Sequence, residues 1–280
     1  MSPFFSPQAK ALKPWSNSKL STLEKCPYKF NLQYVEKIRE KDIPENLTAK
    51  VDRTATKFGS AAHRLSELVA DGKSLEQAFS QTKQEEQLTR QETALLDTHK
   101  DTATIFENRI NRFKDRYAIS TDDREIELAI NADLKPSNYY DSSAMLRGKI
   151  DRLMISEDEK TAVVIDLKTS KRATLQYAGP QLDFYTTLIF GAYPKVETVK
   201  QGLYFLTLGQ MLWAPTARRM SYKMDGENSI VGRVNSAVNE FYIQEQPEIR
   251  VHTLCKWCIY REICKKERRA RRAAAKLQEK

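Results

Sequence analysis

The sequence predicts an α/β or α+β fold in which helices wrap a mixed central sheet. Three observations lead there. Apolar residues recur at helical spacing through residues 16–118, the pattern changes to strand periods over 124–215, and residues 226–246 return to helix. A chain of 280 residues is long enough to bury a good core as one large domain or one domain with an appendage. The divisions we expect are a helical region at 1–120, a core at 121–250, a cysteine-rich segment at 251–267 and a basic tail at 268–280.

The elements follow in order. Ser16 or Asn17 caps a helix through SKLSTLEKCPYKFNLQYVEKI, with Leu20, Leu23, Tyr34 and Val35 core-facing and Pro27 kinking or restarting it. Phe106, Ile110, Phe113 and Tyr117 mark the buried stripe of a later helix. REIELAIN then alternates Ile126, Leu128 and Ile130 against Glu125, Glu127 and Asn131, which reads as a strand. LRGKIDRLMI and TAVVIDLKTS follow as strands, then a helix around PQLDFYTTLIFGAYP. Two further strands in VKQGLYFLTLGQMLWAP turn at Gly209. Ile230, Val234, Val238 and Phe241 form one face of the last core helix.

The four cysteines divide one plus three: Cys26 near the start, and Cys255, Cys258 and Cys264 in CKWCIYREIC. The start MSPFFSPQAKALKPW lacks the sustained apolar region of a signal peptide, and four cysteines in such a chain do not make a secreted disulfide scaffold. A CxxCx₅C run with a remote fourth thiolate fits an iron–sulfur cluster better than structural zinc, which usually takes two close pairs. Zinc stays open, as does Cys26 being only a buried apolar residue.

The formal net charge is +9, of which residues 265–280 supply +6 through eight Lys/Arg and two Glu. This Ala-rich basic helix suits phosphate contact, or is a solvated end. No window approaches the length of a membrane span.

The central strands carry the chemistry. Strand geometry puts Asp166 and Lys168 on one face with Leu167 opposite. A hard divalent ion wants oxygen ligands, and the lysine would stand beside the attacked phosphate; a surface ion pair is the plainer reading. One strand earlier, Asp151 lies in the apolar setting of Ile150, Leu153 and Ile155, as a second carboxylate or as a partner of Arg147 or Arg152. In FGSAAHRLSELVA, His63 projects away from the apolar stripe with Glu67 one turn on. Gln181 and Tyr185, at i and i+4, put an amide and a phenol on one helical face.

The succession FGSAAH, RGKIDRL, VIDLKTS and QLDFY resembles the RecB-like branch of the PD-(D/E)xK nuclease superfamily. SNSKLSTLEKCPYKFNLQY resembles its helical start. The one-plus-three cysteines are similar to those of its iron–sulfur members, the AddB-type nuclease domains and the CRISPR-associated nucleases of spacer acquisition. The likeness spans residues 16 to 264 and implies a restriction-endonuclease-like core with a C-terminal iron–sulfur segment. It implies that His63, Asp151, Asp166 and the Leu167 carbonyl bind a catalytic Mg²⁺ or Mn²⁺, one or two ions. Lys168 would be the catalytic lysine, and Gln181 and Tyr185 would face DNA. Cys26, Cys255, Cys258 and Cys264 would hold a [4Fe–4S] cluster. The activity so implied is a DNA exonuclease on single-stranded ends, 5′ to 3′. Reduced cysteines point to the cytoplasm of a bacterium, archaeon or phage-infected cell. Protein partners in recombination, repair or CRISPR adaptation are implied as well. No G-x-x-x-x-G-K-[ST] helicase loop is present. A DNA-end processing endonuclease and a non-catalytic iron–sulfur DNA-binding module are the alternatives.

Overall fold

The computed structural model describes residues 4–176 and 178–278. The chain forms two compact units, Met1–Asp52 with Asp225–Lys280, and Arg53–Met224.

In the split unit, helices α1 (Pro7–Ala11), α2 (Asn17–Lys25) and α3 (Pro27–Phe30) come from the first segment. Ser16 caps α2 by accepting the Lys19 N–H, and Pro27 restarts the helix at the first position of α3, where its missing N–H costs nothing. Leu20 and Leu23 are buried as the stripe predicts. Val35 departs from it, being 42% exposed. The chain winds as a π-helical turn over Asn31–Val35, so the phase of the stripe slips and Leu32 takes the buried position. Trp15 stacks on Phe30 at 5.8 Å and Phe241 meets Phe30 edge-on.

The inserted unit opens with four helices: α4 (Thr54–Ala70), α5 (Leu75–Glu85), α6 (Arg90–Asp97) and α7 (Asp101–Tyr117). Strands β1 (Ile119–Asn131), β2 (Pro136–Ser137), β3 (Ala144–Ser156) and β4 (Thr161–Lys168) follow. Helix α8 (Gly179–Ala192) leads to β5 (Thr198–Phe205), β6 (Gln210–Trp213) and β7 (Ala217–Arg218). The sheet order is β2-β1-β3-β4-β5-β6, with β7 on β5. Only β4 and β5 pair in parallel, because the α8 crossover joins them; the other pairings are antiparallel. The sheet is thus mixed, as the strand signals required.

One layer of core joins α4 and α7 to the sheet through Phe58, Leu65, Phe106, Ile110, Met154, Ile165, Leu167 and Tyr204. Arg152, 2% exposed, crosses this layer to Glu107 on α7, at 2.9 and 3.1 Å, and to Asp122 on β1. Helix α8 lies close at its far end. A Cβ at Gly191 would stand 2.7 Å from Ile130 Cγ2 and 3.0 Å from the Leu134 carbonyl, so only glycine fits there.

The split unit closes with α9 (Ile230–Ile243) and α10 (Arg261–Gln278). Its two chain segments are tied by the Tyr28 N–H on the Glu248 carbonyl at 2.9 Å and by Arg233 on Glu24 at 3.0 and 2.8 Å. Arg250 also donates to the Glu24 carbonyl at 2.7 Å, and the Tyr260 hydroxyl to that of Ile38 at 2.6 Å. The basic tail belongs to α10; its last two positions, including Lys280, lie outside the described residues.

Candidate metal centre and cysteine cavity

Strand pairing sets the carboxylates of the inserted unit in a row. The β3–β4 ladder ends at Arg152↔Ile165, one residue short of Asp151 and Asp166. Where the ladder stops, the Leu167 N–H is free to donate to Asp151 Oδ2 at 2.6 Å. On the other side of β3, the pairs Arg124↔Arg152 and Ile126↔Ile150 flank Glu125, which stands across from Asp151 but is left out of the pairing. Glu125 has a φ of +50°, a left-handed conformation that is strained for a residue with a Cβ.

Helix α4 brings His63 over this row. Its Nε2 lies 3.1 Å from the Leu167 carbonyl and its Nδ1 3.7 Å from Asp151 Oδ2. A carbonyl only accepts, so Nε2 carries the proton in this contact, and in the neutral ring Nδ1 then turns a lone pair towards the carboxylate. Ligand atoms of His63, Glu125 and Asp151 all lie within 4.8 Å of one another. Burial, followed by the nearby charge of Asp166, pushes the Asp151 carboxyl well above the usual carboxylate range; the Leu167 N–H pulls it down less strongly.

Helix α8 completes the other side. Gln181 Nε2 donates to Asp166 Oδ1 at 2.8 Å, and its Oε1 accepts from Lys168 Nζ at 2.8 Å. Tyr185 is 2.8 Å from the same amide and donates its hydroxyl to the Lys149 carbonyl at 3.0 Å. Burial, then the charges of Asp166 and Asp151, raises the tyrosine pKa, so it stays a neutral donor. Asp166 is 2% exposed. Its Oδ2 has the Lys168 ammonium at 2.6 Å but no contact with hydrogen-bond geometry. A buried carboxylate oxygen with spare acceptor capacity, beside a second carboxylate and an imidazole, suits a divalent cation. His63, Asp151, Asp166, Leu167, Lys168, Gln181 and Tyr185 therefore meet in one place. Arg147 and Arg152, the alternative partners for Asp151, are engaged elsewhere: Arg147 with the Tyr139 carbonyl and ring, Arg152 with Glu107 and Asp122.

Glu125 is the member of the group that the sequence hid. Alternation puts it on the polar edge of a strand with Glu127, and nothing in REIEL announces the irregular turn of the backbone.

In the split unit, Cys26, Cys255, Cys258 and Cys264 are free thiols lining one cavity of about 630 Å³. Cys26 sits between α2 and α3, and its sulfur accepts the Lys29 N–H at 3.4 Å; Cys255 accepts the His252 N–H at 3.3 Å. Burial pushes the thiols of Cys258 and Cys264 up. Lys29 opposes this at Cys258 and Arg268 at Cys264. The lining carries Lys25, Lys29, Arg250, Lys256, Arg261, Lys265 and Arg268 and no carboxylate. Such a lining offsets the negative charge that ligating thiolates would bring.

Among the described residues, no helix is long and apolar enough to cross a membrane. A sequence profile described as the PD-(D/E)XK nuclease superfamily matches residues 14–265. No curated protein matches the chain. Among solved structures, the chain is similar to a "Putative exonuclease" from Eubacterium rectale, with 11% identity over 89% of each chain and a TM-score of 0.43.

Proposed function

The chain belongs to the PD-(D/E)XK nuclease superfamily, and from that premise we propose that it is a divalent-metal-dependent deoxyribonuclease of the RecB-like, iron–sulfur type, an exonuclease acting on single-stranded DNA ends. The observation that carries this reading is the meeting of four separate sequence fragments around Asp151. The Leu167 N–H holds the carboxylate, His63 covers it, and Gln181 joins Asp166 to Lys168.

Asp151, Asp166, His63 and the Leu167 carbonyl would hold Mg²⁺ or Mn²⁺. A bound divalent cation supplies Lewis acidity and charge neutralisation at a phosphate. The protein's own groups do the rest. Gln181 holds the Lys168 ammonium beside Asp166, where its charge stabilises the phosphate under attack. Tyr185 fixes the Gln181 amide, and its burial excludes water from that side.

The four cysteines are assigned to a [4Fe–4S] cluster. The CxxCx₅C run with a remote fourth thiolate supports a cluster over the two close pairs usual for structural zinc, and the basic lining of the cavity offsets the charge that four thiolates bring. Residues 251–267 are then the cluster segment, 268–280 the basic tail, 121–250 the nuclease core and 1–120 the helical region. Thiolate ligation suits a reducing cytoplasm. The 5′ to 3′ direction, and partners in recombination, repair or CRISPR adaptation, belong to the same proposal.

The test uses linear and circular single strands, labelled at either end, with Mg²⁺, Mn²⁺ or EDTA. Progressive loss from the 5′ end of linear strands, intact circles and silence in EDTA are expected. Cut circles would replace the exonuclease with a processing endonuclease. Iron-loaded protein that binds DNA without cutting any substrate would leave a non-catalytic binding module.

A further inference from the structure

Glu125 has no place in the arrangement above, yet the chain brings it there at a cost. Its backbone takes φ +50° inside a strand, and its carboxylate faces the Asp151 carboxylate across the β1–β3 pairing. Like charges directly opposed in a sheet repel. His63 joins them, with Nδ1 3.7 Å from Asp151 Oδ2 and Nε2 3.1 Å from the Leu167 carbonyl. Three possible ligand atoms, one each from His63, Glu125 and Asp151, lie within 4.8 Å of one another, and two anionic carboxylates among them call for a positive charge. One such charge is present. Lys149 lies on Glu125 Oε2 at 2.5 Å, with its own side chain 51% exposed. Asp166, 2% exposed, adds another carboxylate to the same region, and the Lys168 ammonium 2.6 Å from its Oδ2 meets no hydrogen-bond geometry there.

We propose that Glu125 is a ligand of the cation centre together with His63 and Asp151, and that Lys149 is its internal counter-ion, which the divalent cation displaces. The proposal rests on the metal-dependent reading of this site and adds a carboxylate to it. A hard cation gains a further anionic oxygen, and the repulsion between Glu125 and Asp151 turns into shared attraction. Lys149, on an exposed stem, swings into solvent when the cation arrives. The affinity for the cation is therefore set by a competition between a lysine and a metal for one carboxylate.

Mn²⁺ titration of the intact, cofactor-loaded protein tests this, followed by calorimetry and by the electron-paramagnetic signal of free Mn²⁺. Glu125→Gln keeps the size of the side chain and should weaken Mn²⁺ binding by at least tenfold. Lys149→Met removes the competitor and should tighten binding several-fold. A misfolded variant cannot bind more tightly, so this second change separates the proposal from general damage. Asp151→Asn serves as the control. Wild-type affinity in Glu125→Gln, with binding lost in Asp151→Asn, would overturn the role of Glu125 and leave the metal site standing. Unchanged affinity in Lys149→Met would overturn the competition. Wild-type binding in Asp151→Asn would sink the metal-dependent reading itself.

Discussion

Gln181 holds Lys168 at 2.8 Å through its Oε1 while its Nε2 reaches Asp166 at the same distance. One amide thus orients both an ammonium and a carboxylate, and reverses neither charge. Its loss should leave the Lys168 ammonium, which also lies 2.6 Å from Asp166 Oδ2, held by that carboxylate alone and without a fixed direction. Gln181→Ala should lower turnover roughly 10–100-fold, as loss of an outer partner usually does, with little change in Mn²⁺ affinity. Steady-state cleavage of an end-labelled strand, set beside a Mn²⁺ titration, measures both.

Asp166 and Lys168 should separate cleanly. Asp166→Asn should lose cation binding and cleavage together. Lys168→Ala should keep the cation and lose roughly 100–1000-fold in turnover, the scale of removing one preorganised positive group. Equal loss of cation binding in both would mean that Lys168 acts on the fold of the site.

Arg152 is the structural keystone of the inserted unit. Arg152→Met should cost roughly 3 kcal/mol, because it strands the largely buried Glu107 carboxylate and leaves Asp122 with Lys114 alone. The pH dependence follows from their directions. Burial outweighs the arginine at Glu107 and raises its pKa. At Asp122 burial also pushes upward, but the hydrogen bonds from Arg152 and Lys114 prevail and lower it. In the wild type, the Asp122 contribution is present above the usual carboxylate range and is lost as pH falls through its lowered value. The Glu107 contribution is present below that range and is lost as pH rises through its raised value. Without the arginine Glu107 prefers to be protonated and Asp122 keeps only Lys114 to hold its charge, so the deficit should be widest near neutral pH and shrink on acidification. Urea melts at several pH values test this, and a deficit that grows in acid would contradict it.

Cys26 decides the character of the cavity. Cys26→Ala should bleach protein purified without oxygen and lower its iron and labile sulfide together, as should each of Cys255→Ala, Cys258→Ala and Cys264→Ala. Proteolysis of the bleached forms should begin in residues 4–52 and 225–278. Full colour in Cys26→Ala would make Cys26 a packing residue only, and zinc without iron in the wild type would reassign the site.

The basic helix offers two kinds of arginine. Arg271 is held by Glu267 at 2.7 Å, by the Pro247 carbonyl at 3.0 Å and over the Tyr28 ring, so it belongs to the structure. Arg269 and Arg272 are exposed. Changing both to Gln should reduce the salt slope of single-strand binding by roughly 0.7 per lost contact, with melting unchanged. An unaltered slope would make them solvated charges.

Much of this molecule was legible because the signals are local. The Ser16 cap, the restart at Pro27 and the run of strands through TAVVIDLKTS each depend on neighbours in sequence. Asp166 and Lys168 could be placed together because strand geometry has a fixed period. The period failed where the backbone leaves it. The π-helical turn moved Val35 into solvent, and the left-handed Glu125 left the polar edge for the site. His63 reaching Leu167 depends on how α4 packs against β4, which no single segment encodes.

The split unit has a consequence for synthesis. Its first segment, residues 1–52, must find residues 225–280, and the inserted unit lies between them. At roughly 5–20 residues per second on a ribosome, the gap lasts on the order of ten to thirty seconds. Through that interval Leu20, Leu23 and Phe30, fully buried at the end, have no α9 to cover them, while the inserted unit can already collapse on contacts of its own. The nascent chain thus carries an unpaired sticky segment while a body made after it folds first. Its yield should be more sensitive to translation speed and to chaperones that hold exposed apolar segments than either unit alone would suggest.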